Sequence, residues 1–329
     1  MIKYKKHIQN FNKKKNNIKQ SVVLVGCGRW GKVLLNEILY NFKNIEQIYV
    51  VTNYQKNLQK WINKKRCKNI KILKNFNEIK KINCRFAIVA KKNEHHYHFC
   101  KKLLNGRYNV LVEKPFVNNI KKARYLLSLS IRKNFFLLIS LPFFYAHFFY
   151  YIKEKIITNL KVLKFTIYWF DKKKEIRYGS IKKHDRKLNQ IEDIFYHIYS
   201  IINIFLGKGN FSFQRQIMKY KKYRKLVFNY NYCNVEINFS KNWPNRKRIL
   251  NLELSNGKNV SINFINNNVI KTYYDKKMIK LPEKVCQKTL KYQLFSFFNL
   301  RNFKIKNNVN DIRNLKNLLI SLEKLKKYL

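Results

Sequence analysis

The sequence predicts an α/β protein: a doubly wound parallel sheet in its N-terminal part, then a second α/β domain with a large, mostly antiparallel open sheet. Three observations predict it. Short β-type runs alternate with amphipathic helical stretches from Ser21 to about residue 142. A series of strands joined by short turns follows, with Asn256-Gly257 as a hairpin signal between two of them. Three of only eight glycines fall between Gly26 and Gly31, directly after a strand and before a helix.

Residues 1–20 contain no acidic residue and little hydrophobic periodicity, which predicts a mobile basic leader. The leader has no apolar segment of a secretory signal, and it lacks the Arg and Ser that organelle-targeting segments favour. From Ser21 onward, β-type runs occupy Val22–Val25, Gln47–Thr52, Ile70–Leu73, Phe86–Ala90, Asn109–Val112 and Phe135–Leu141. Between them lie helical patterns such as Lys32–Phe42 and His95–Asn105, the latter closed by Gly106 as a C-cap. Six such strands complete a parallel sheet with helices on both faces, so residues 21–142 form one domain and 143–329 a second. A length of 329 residues also suits two domains.

The second part opens with a helix over Tyr145–Ile156, a strand over Lys161–Phe170 and a helix over Leu188–Leu206. Strands follow at Phe211–Ile217, Leu226–Phe239 with a break near Cys233, Arg248–Leu254 and Val260–Phe264. Helices near Gln287–Leu300 and Asn310–Tyr328 end the chain.

Composition narrows the function classes. Lys and Arg number 71 against 17 Asp and Glu, a formal net charge of +54. Charge alone would suggest a nucleic-acid binder. However, the favoured residues Lys, Asn, Ile, Phe and Tyr share A/T-rich codons, and the basic residues are spread along the whole chain, so no dedicated nucleic-acid site is expected. The most apolar stretch, Phe135–Ile152, is interrupted by Ser140, Pro142 and His147 and is no membrane span. Six cysteines show neither CxxC pairs nor metal spacing, which suits a reducing, cytoplasmic setting.

Gly26-Cys27-Gly28-Arg29-Trp30-Gly31 fits the G-x-G-x-x-G pattern of a dinucleotide-binding turn. The first Gly permits the tight turn, the second lets a pyrophosphate approach the backbone, and the third lets the helix pack on the strand. The phosphates then meet the positive N-terminus of the helix that Arg29 and Trp30 begin. The second strand should end in an acid for the adenosine ribose of NAD, but it ends in Thr52-Asn53, with Lys56 beyond. A hydroxyl, an amide and an ammonium accept a 2′-phosphate that a carboxylate would repel. The cofactor is therefore NAD or NADP, with a lean to NADP.

Asn109–Val112 runs into Glu113-Lys114-Pro115, an acid, a base and a proline at the carboxyl end of a buried-looking strand. Strand ends of this kind line the ligand crevice of a doubly wound sheet, and a lysine there can act as acid or base. A surface turn with a solvated ion pair is the plainer alternative. Asp193 and His197, four residues apart, share a helix face on which a carboxylate can orient an imidazole. Taken alone, a histidine on so aromatic a helix is more commonly a hydrogen-bonded core residue. His95, His96 and His98 cluster, but no matching carboxylate or cysteine pattern makes them a metal site.

Together these residues resemble the glucose-fructose oxidoreductase, inositol dehydrogenase and MocA-like (Gfo/Idh/MocA) family over about residues 21–329. VVLVGCGRWG is similar to its nucleotide-binding start, VLVEKPF at 110–116 to its signature after the fifth strand, and DIFYHIYSIINIFLG at 193–207 to its Asp, His and Gly spacing. NWPNRKRILNLELSNGK is similar to its C-terminal sheet. The resemblance implies a Rossmann domain, an α/β domain whose open sheet serves dimer or tetramer contacts, and hydride transfer at a hydroxyl or keto carbon of a sugar, nucleotide sugar or cyclitol. It assigns Lys114 as acid/base or substrate-binding lysine, His197 as partner acid/base and Asp193 as its orienting carboxylate. It places Glu113 by the cofactor, gives Pro115 the turn, and matches Asn93 and His96 to the motif after the fourth strand.

Two departures stand out. Lys91-Lys92 replaces the Thr-Pro that usually precedes that motif. LPFFYAHFFYYIKEKI at 141–156 resembles a segment of the nucleotide-sugar branch through Tyr145, Lys153 and Glu154, but Leu141 stands in its His place and Ser200 replaces a common acid. A catalytically decayed dinucleotide-binding protein is the second function class that fits this sequence, and a nucleic-acid binder the third.

Overall fold

The computed structural model describes residues 20–117, 119–173, 176–177, 180–181, 189–213, 218–220, 222–266, 269–300 and 312–326. The expected leader lies outside them, except that Gln20 already opens the first strand. The described chain falls into two compact units, residues 20–140 with 293–300 and 312–316, and residues 141–292 with 317–326.

The first unit is built on six parallel strands: β1 (Gln20–Val25), β2 (Ile45–Val51), β3 (Ile70–Leu73), β4 (Phe86–Val89), β5 (Asn109–Val112) and β6 (Leu137–Ile139). Their order is β3-β2-β1-β4-β5-β6, so the winding reverses between β1 and β4. Uninterrupted apolar runs such as Val22–Val25 are what a strand buried on both faces requires, and all four of these residues are fully buried. The helices are α1 (Arg29–Asn41), α2 (Gln55–Lys65), α3 (His96–Asn105) and α4 (Ile120–Lys133). α1 starts three residues before the expected Lys32, because the glycine turn runs directly into its first turn. Asn119 caps α4, its side chain accepting from Lys121 N at 2.8 Å and Lys122 N at 3.2 Å. Gly106 caps α3 with φ −79°; the left-handed conformation falls on Arg107 at φ 65°.

Residues 293–300, which strand counting assigns to the second domain, group with this first unit. Phe297 and Phe298 set their rings edge-on against Phe86 at 5.3 and 5.7 Å, and Phe298 meets Phe42 at 5.1 Å. Aromatic burial against the sheet therefore decides where the segment belongs.

The second unit begins with a 3₁₀ turn over Pro142–Tyr145, α5 (His147–Lys155), β7 (Val162–Lys172), the short pair β8 (Ile176–Arg177) and β9 (Ser180–Ile181), and α6 (Gln190–Leu206). β10 (Phe211–Phe213), β11 (Met218–Lys219), β12 (Arg224–Tyr230), β13 (Cys233–Trp243), β14 (Lys247–Leu254), β15 (Asn259–Asn266), β16 (Val269–Tyr274) and β17 (Lys277–Ile279) follow. α7 (Thr289–Phe298) and α8 (Ile312–Lys326) complete the described helices. The sheet order is β10-β12-β13-β7-β14-β15-β16-β17, with β11 beside β12. Only β13 with β7 runs parallel; the other pairs are antiparallel.

The Asn256-Gly257 turn joins β14 to β15 as expected. Gly257 N donates to Leu254 O at 3.0 Å, and Gly257 takes φ 79°. The next hairpin carried no such signal in the sequence. Asp275 and Lys276 both adopt positive φ (47° and 68°) in a two-residue connection, so β16 and β17 were hidden behind a lysine in a glycine-type position. The expected strand over Phe211–Ile217 is seen as Phe211–Phe213, and residues 214–217 lie outside the described residues. One face of the sheet carries Phe165, Ile167, Val235, Ile237, Phe239, Leu250, Leu252, Ile262 and Phe264, all essentially buried. On the other face Lys164 meets Glu236 at 3.8 Å and Glu253 at 3.4 Å, and Lys225 meets Glu236 at 2.9 Å.

Candidate functional site

At the reversal point the carboxyl ends of three strands meet. Gly26 N donates to Val51 O at 2.8 Å, and Ala90 N donates to Val25 O at 2.8 Å. Gly26 holds φ 100°, and a Cβ there would lie 2.7 Å from Ala90 O. A Cβ on Gly31 would lie 2.5 Å from Gly26 O. These two positions are small because the chain itself fills the space. Gly28 differs: a Cβ there would meet nothing within 4 Å. Its smallness serves no internal contact, which fits a backbone that a pyrophosphate approaches. The first turn of α1 has no acidic residue and no side-chain cap, so its N–H groups remain suited to an anion. Arg29 Nη1 is buried and, among the described residues, has no hydrogen-bond partner. The arrangement fits a dinucleotide.

At the end of β2, Thr52 is buried and its Oγ1 accepts from Tyr54 N at 3.1 Å, so this hydroxyl shapes the turn. Asn53 is exposed, and Lys91 Nζ donates to its Oδ1 at 3.0 Å. Lys56 is exposed in the first turn of α2.

Glu113, at the end of β5, is 7% exposed. Burial holds its pKa above the usual carboxylate range, and the nearby Trp30 and Ser140 side chains oppose this only in part. Ser140 Oγ donates in turn to Gln293 Oε1 at 3.2 Å. Trp30 sets the glycine turn beside the Glu113-Lys114-Pro115 turn. His96 ties it from the other side: its Nδ1 lies 2.9 Å from Pro115 O and from Phe116 O, and its Nε2 lies 2.9 Å from Lys91 O. Burial lowers its pKa against the pull of those carbonyls. Both ring nitrogens face backbone carbonyls, so its side chain braces the two loops. Lys114 is half-buried beyond β5 and joined to Pro115 by a cis peptide. Asn93 opens the 3₁₀ turn over Asn93–His95, and His95 faces Glu94 at 3.5 Å.

In the second unit Asn189 caps α6, accepting from Ile191 N at 3.2 Å, and Glu192 and Asp193 occupy the acidic first turn that a helix N-terminus favours. Asp193 and His197 are both half-buried, one turn apart. The His197 ring stacks on Trp169 with centroids 5.4 Å apart and planes at 14°, while Phe143 meets it edge-on at 5.4 Å. The Arg248 guanidinium also lies over the Trp169 ring, at 4.1 Å. It pairs with Asp171 and donates to Phe170 O at 2.6 Å. Aromatic walls therefore hold the imidazole, and a buried ion pair holds one wall. Phe143, Trp169 and Arg248 escaped the sequence reading because they lie on separate elements whose apolar patterns read simply as core. Gln293, far from Glu113 in sequence, escaped it likewise.

Residues 20–139 match the model of an oxidoreductase family with an NAD-binding Rossmann fold, Gfo/Idh/MocA. No curated protein matches the chain by sequence. Among solved structures the chain is similar to UDP-N-acetylglucosamine 3-dehydrogenase GnnA from Acidithiobacillus ferrooxidans, at 11% identity, TM-score 0.72, covering 93% of this chain and 95% of that one. It is similar to GenD2 from gentamicin A biosynthesis in complex with NAD, at 14% identity, TM-score 0.73 and 93% of each chain. It is also similar to biliverdin reductase from Synechocystis sp. PCC 6803 in complex with biliverdin and NADP+, at 11% identity, TM-score 0.68, covering 94% of this chain and 98% of that one. At these identities the three share a fold with this chain. Residues 20–139, with their reversal-point glycine turn, are thus similar to the NAD-binding Rossmann domain of the Gfo/Idh/MocA oxidoreductase family.

Proposed function

We propose that this nicotinamide-dependent oxidoreductase acts on a CH–OH or keto carbon of a sugar, nucleotide sugar or cyclitol, with NADP(H) as its dinucleotide. The observation that carries the reading is the glycine turn, where Gly28 is small for no internal reason and Arg29 Nη1 is buried without a partner among the described residues. The sugar-type substrate is supported by the fold shared with GnnA, and the NADP reading by the missing acid at Thr52-Asn53. A bound nicotinamide supplies the hydride acceptor, or donor, at its C4.

In the oxidation direction Lys114 takes up the hydroxyl proton as the carbinol hydrogen leaves as hydride, and it returns that proton in reduction. His197 is the partner acid/base. Asp193, one turn earlier, orients it, and the stack on Trp169 limits its rotation. Glu113, Pro115, Asn93, Arg29, Trp30 and His96 shape or line the cofactor side. Six unpaired cysteines support a reducing compartment such as the cytoplasm. Assembly as a homodimer or tetramer through the open sheet belongs to the same proposal.

The test is Lys114→Ala, assayed over a panel of sugars and sugar nucleotides with both dinucleotides. Turnover should fall about a hundred- to ten-thousandfold. Dinucleotide affinity, read by calorimetry, should stay near that of the parent. Undiminished turnover would remove Lys114 from its role; dinucleotide binding with no turnover by the parent on any substrate would favour a protein that has lost catalysis.

A further inference from the structure

Lys91-Lys92 follows Ala90 at the end of β4, and Lys91 points across the reversal point. Its Cγ lies 2.9 Å from where a Cβ on Gly26 would stand, so the glycine leaves room for the lysine stem. The Phe99 ring, 5.5 Å from Nζ, flanks the same side chain. The ammonium then ends on Asn53 Oδ1 at 3.0 Å. Asn53 occupies the strand end where an NAD-binding chain would place the acid that reads the adenosine ribose. A neutral acceptor there carries a cation instead, and among the described residues no carboxylate pairs with Lys91. One bond to Asn53 uses one of three N–H donors, which leaves two for another acceptor.

We infer that Lys91, held by Asn53, recognises the 2′-phosphate of NADP(H). The inference rests on the dinucleotide reading of the Gly26–Gly31 turn and adds the residue that chooses between dinucleotides. It differs from the expectation raised by sequence order. Lys56 is nearer to Asn53 along the chain but stands exposed on α2, whereas Lys91 reaches Asn53 from another strand. A phosphate dianion there gains a charge-assisted bond that a 2′-hydroxyl cannot match.

Isothermal titration of the full chain with NADPH, NADH, adenosine 2′,5′-bisphosphate and AMP tests this without any turnover. The parent should prefer the 2′-phosphorylated member of each pair. Lys91→Thr should weaken NADPH and adenosine 2′,5′-bisphosphate about ten- to a hundredfold, with NADH and AMP little changed. Lys56→Met should leave both pairs as they were. Equal losses for NADPH and NADH would place Lys91 on the pyrophosphate and overturn the inference. So would a selective loss in Lys56→Met, or no selective loss in Lys91→Thr. Failure of the parent to bind either dinucleotide would overturn the underlying reading itself.

Discussion

Glu113 shows what a single buried acid contributes to this site. Burial raises its pKa above the carboxylate range, and the nearby Trp30 and Ser140 side chains only partly oppose that. A group whose folded pKa is raised contributes stability that is complete below its unfolded pKa and is lost as pH rises through the folded value. Glu113→Gln keeps the shape of the side chain but does not ionise. The melting temperature of Glu113→Gln relative to the parent should therefore improve steadily as pH rises from about 4 toward neutral. A difference independent of pH would mean the carboxyl titrates alike in the folded and unfolded chains. His96 has the opposite sign: burial lowers its pKa, so its contribution is present above the ordinary histidine range and fades as pH falls. Lys114 and His197 were legible as residue types at suggestive places. The surroundings of His197 were not, because Trp169, with Arg248 over its ring, reaches it by tertiary packing alone.

At the scale of the element, the glycine turn separates packing from binding. Gly31→Ala forces a methyl to within 2.5 Å of the Gly26 backbone oxygen and should destabilise the fold by about 1–3 kcal/mol. Gly28→Ala meets nothing within 4 Å and holds φ −73°, which alanine adopts freely. Its stability should stay within about 1 kcal/mol of the parent, while dinucleotide affinity falls, because the methyl occupies the approach of the pyrophosphate. Denaturant melts and calorimetric titration on the same two variants check both halves; equal destabilisation would refute the distinction. The elements were legible where patterning is local. Continuous apolar runs marked the buried parallel strands, and Asn256-Gly257 marked its hairpin. The β16–β17 hairpin was illegible because Asp275 and Lys276 take glycine-like conformations that their side chains do not announce. The first helix began earlier than its periodicity suggested, because the glycine turn runs directly into its first turn.

For the whole molecule, a formal charge of +54 sets a large self-repulsion that the hydrophobic core must overcome. The partly exposed ion pairs across Lys164, Glu236, Glu253 and Lys225 contribute little against it. Raising sodium chloride from about 0.05 to about 0.5 M shortens the screening length and should raise the melting temperature. A fall would mean that specific ion pairs outweigh the net repulsion. The same charge makes weak binding to polyanions at low salt an expected background.

The sequence by itself determined the class of fold, the glycine turn, and the identity of Lys114, Asp193 and His197 as residues of interest. These rest on local periodicity and short spacings that survive without a partner element. Tertiary structure alone decided that Lys91 rather than Lys56 meets Asn53, that His96 braces two loops, and that residues 293–300 group with the first sheet. Each of those outcomes depends on long-range burial and on donors meeting acceptors from different strands, and no spacing along one chain encodes such distances.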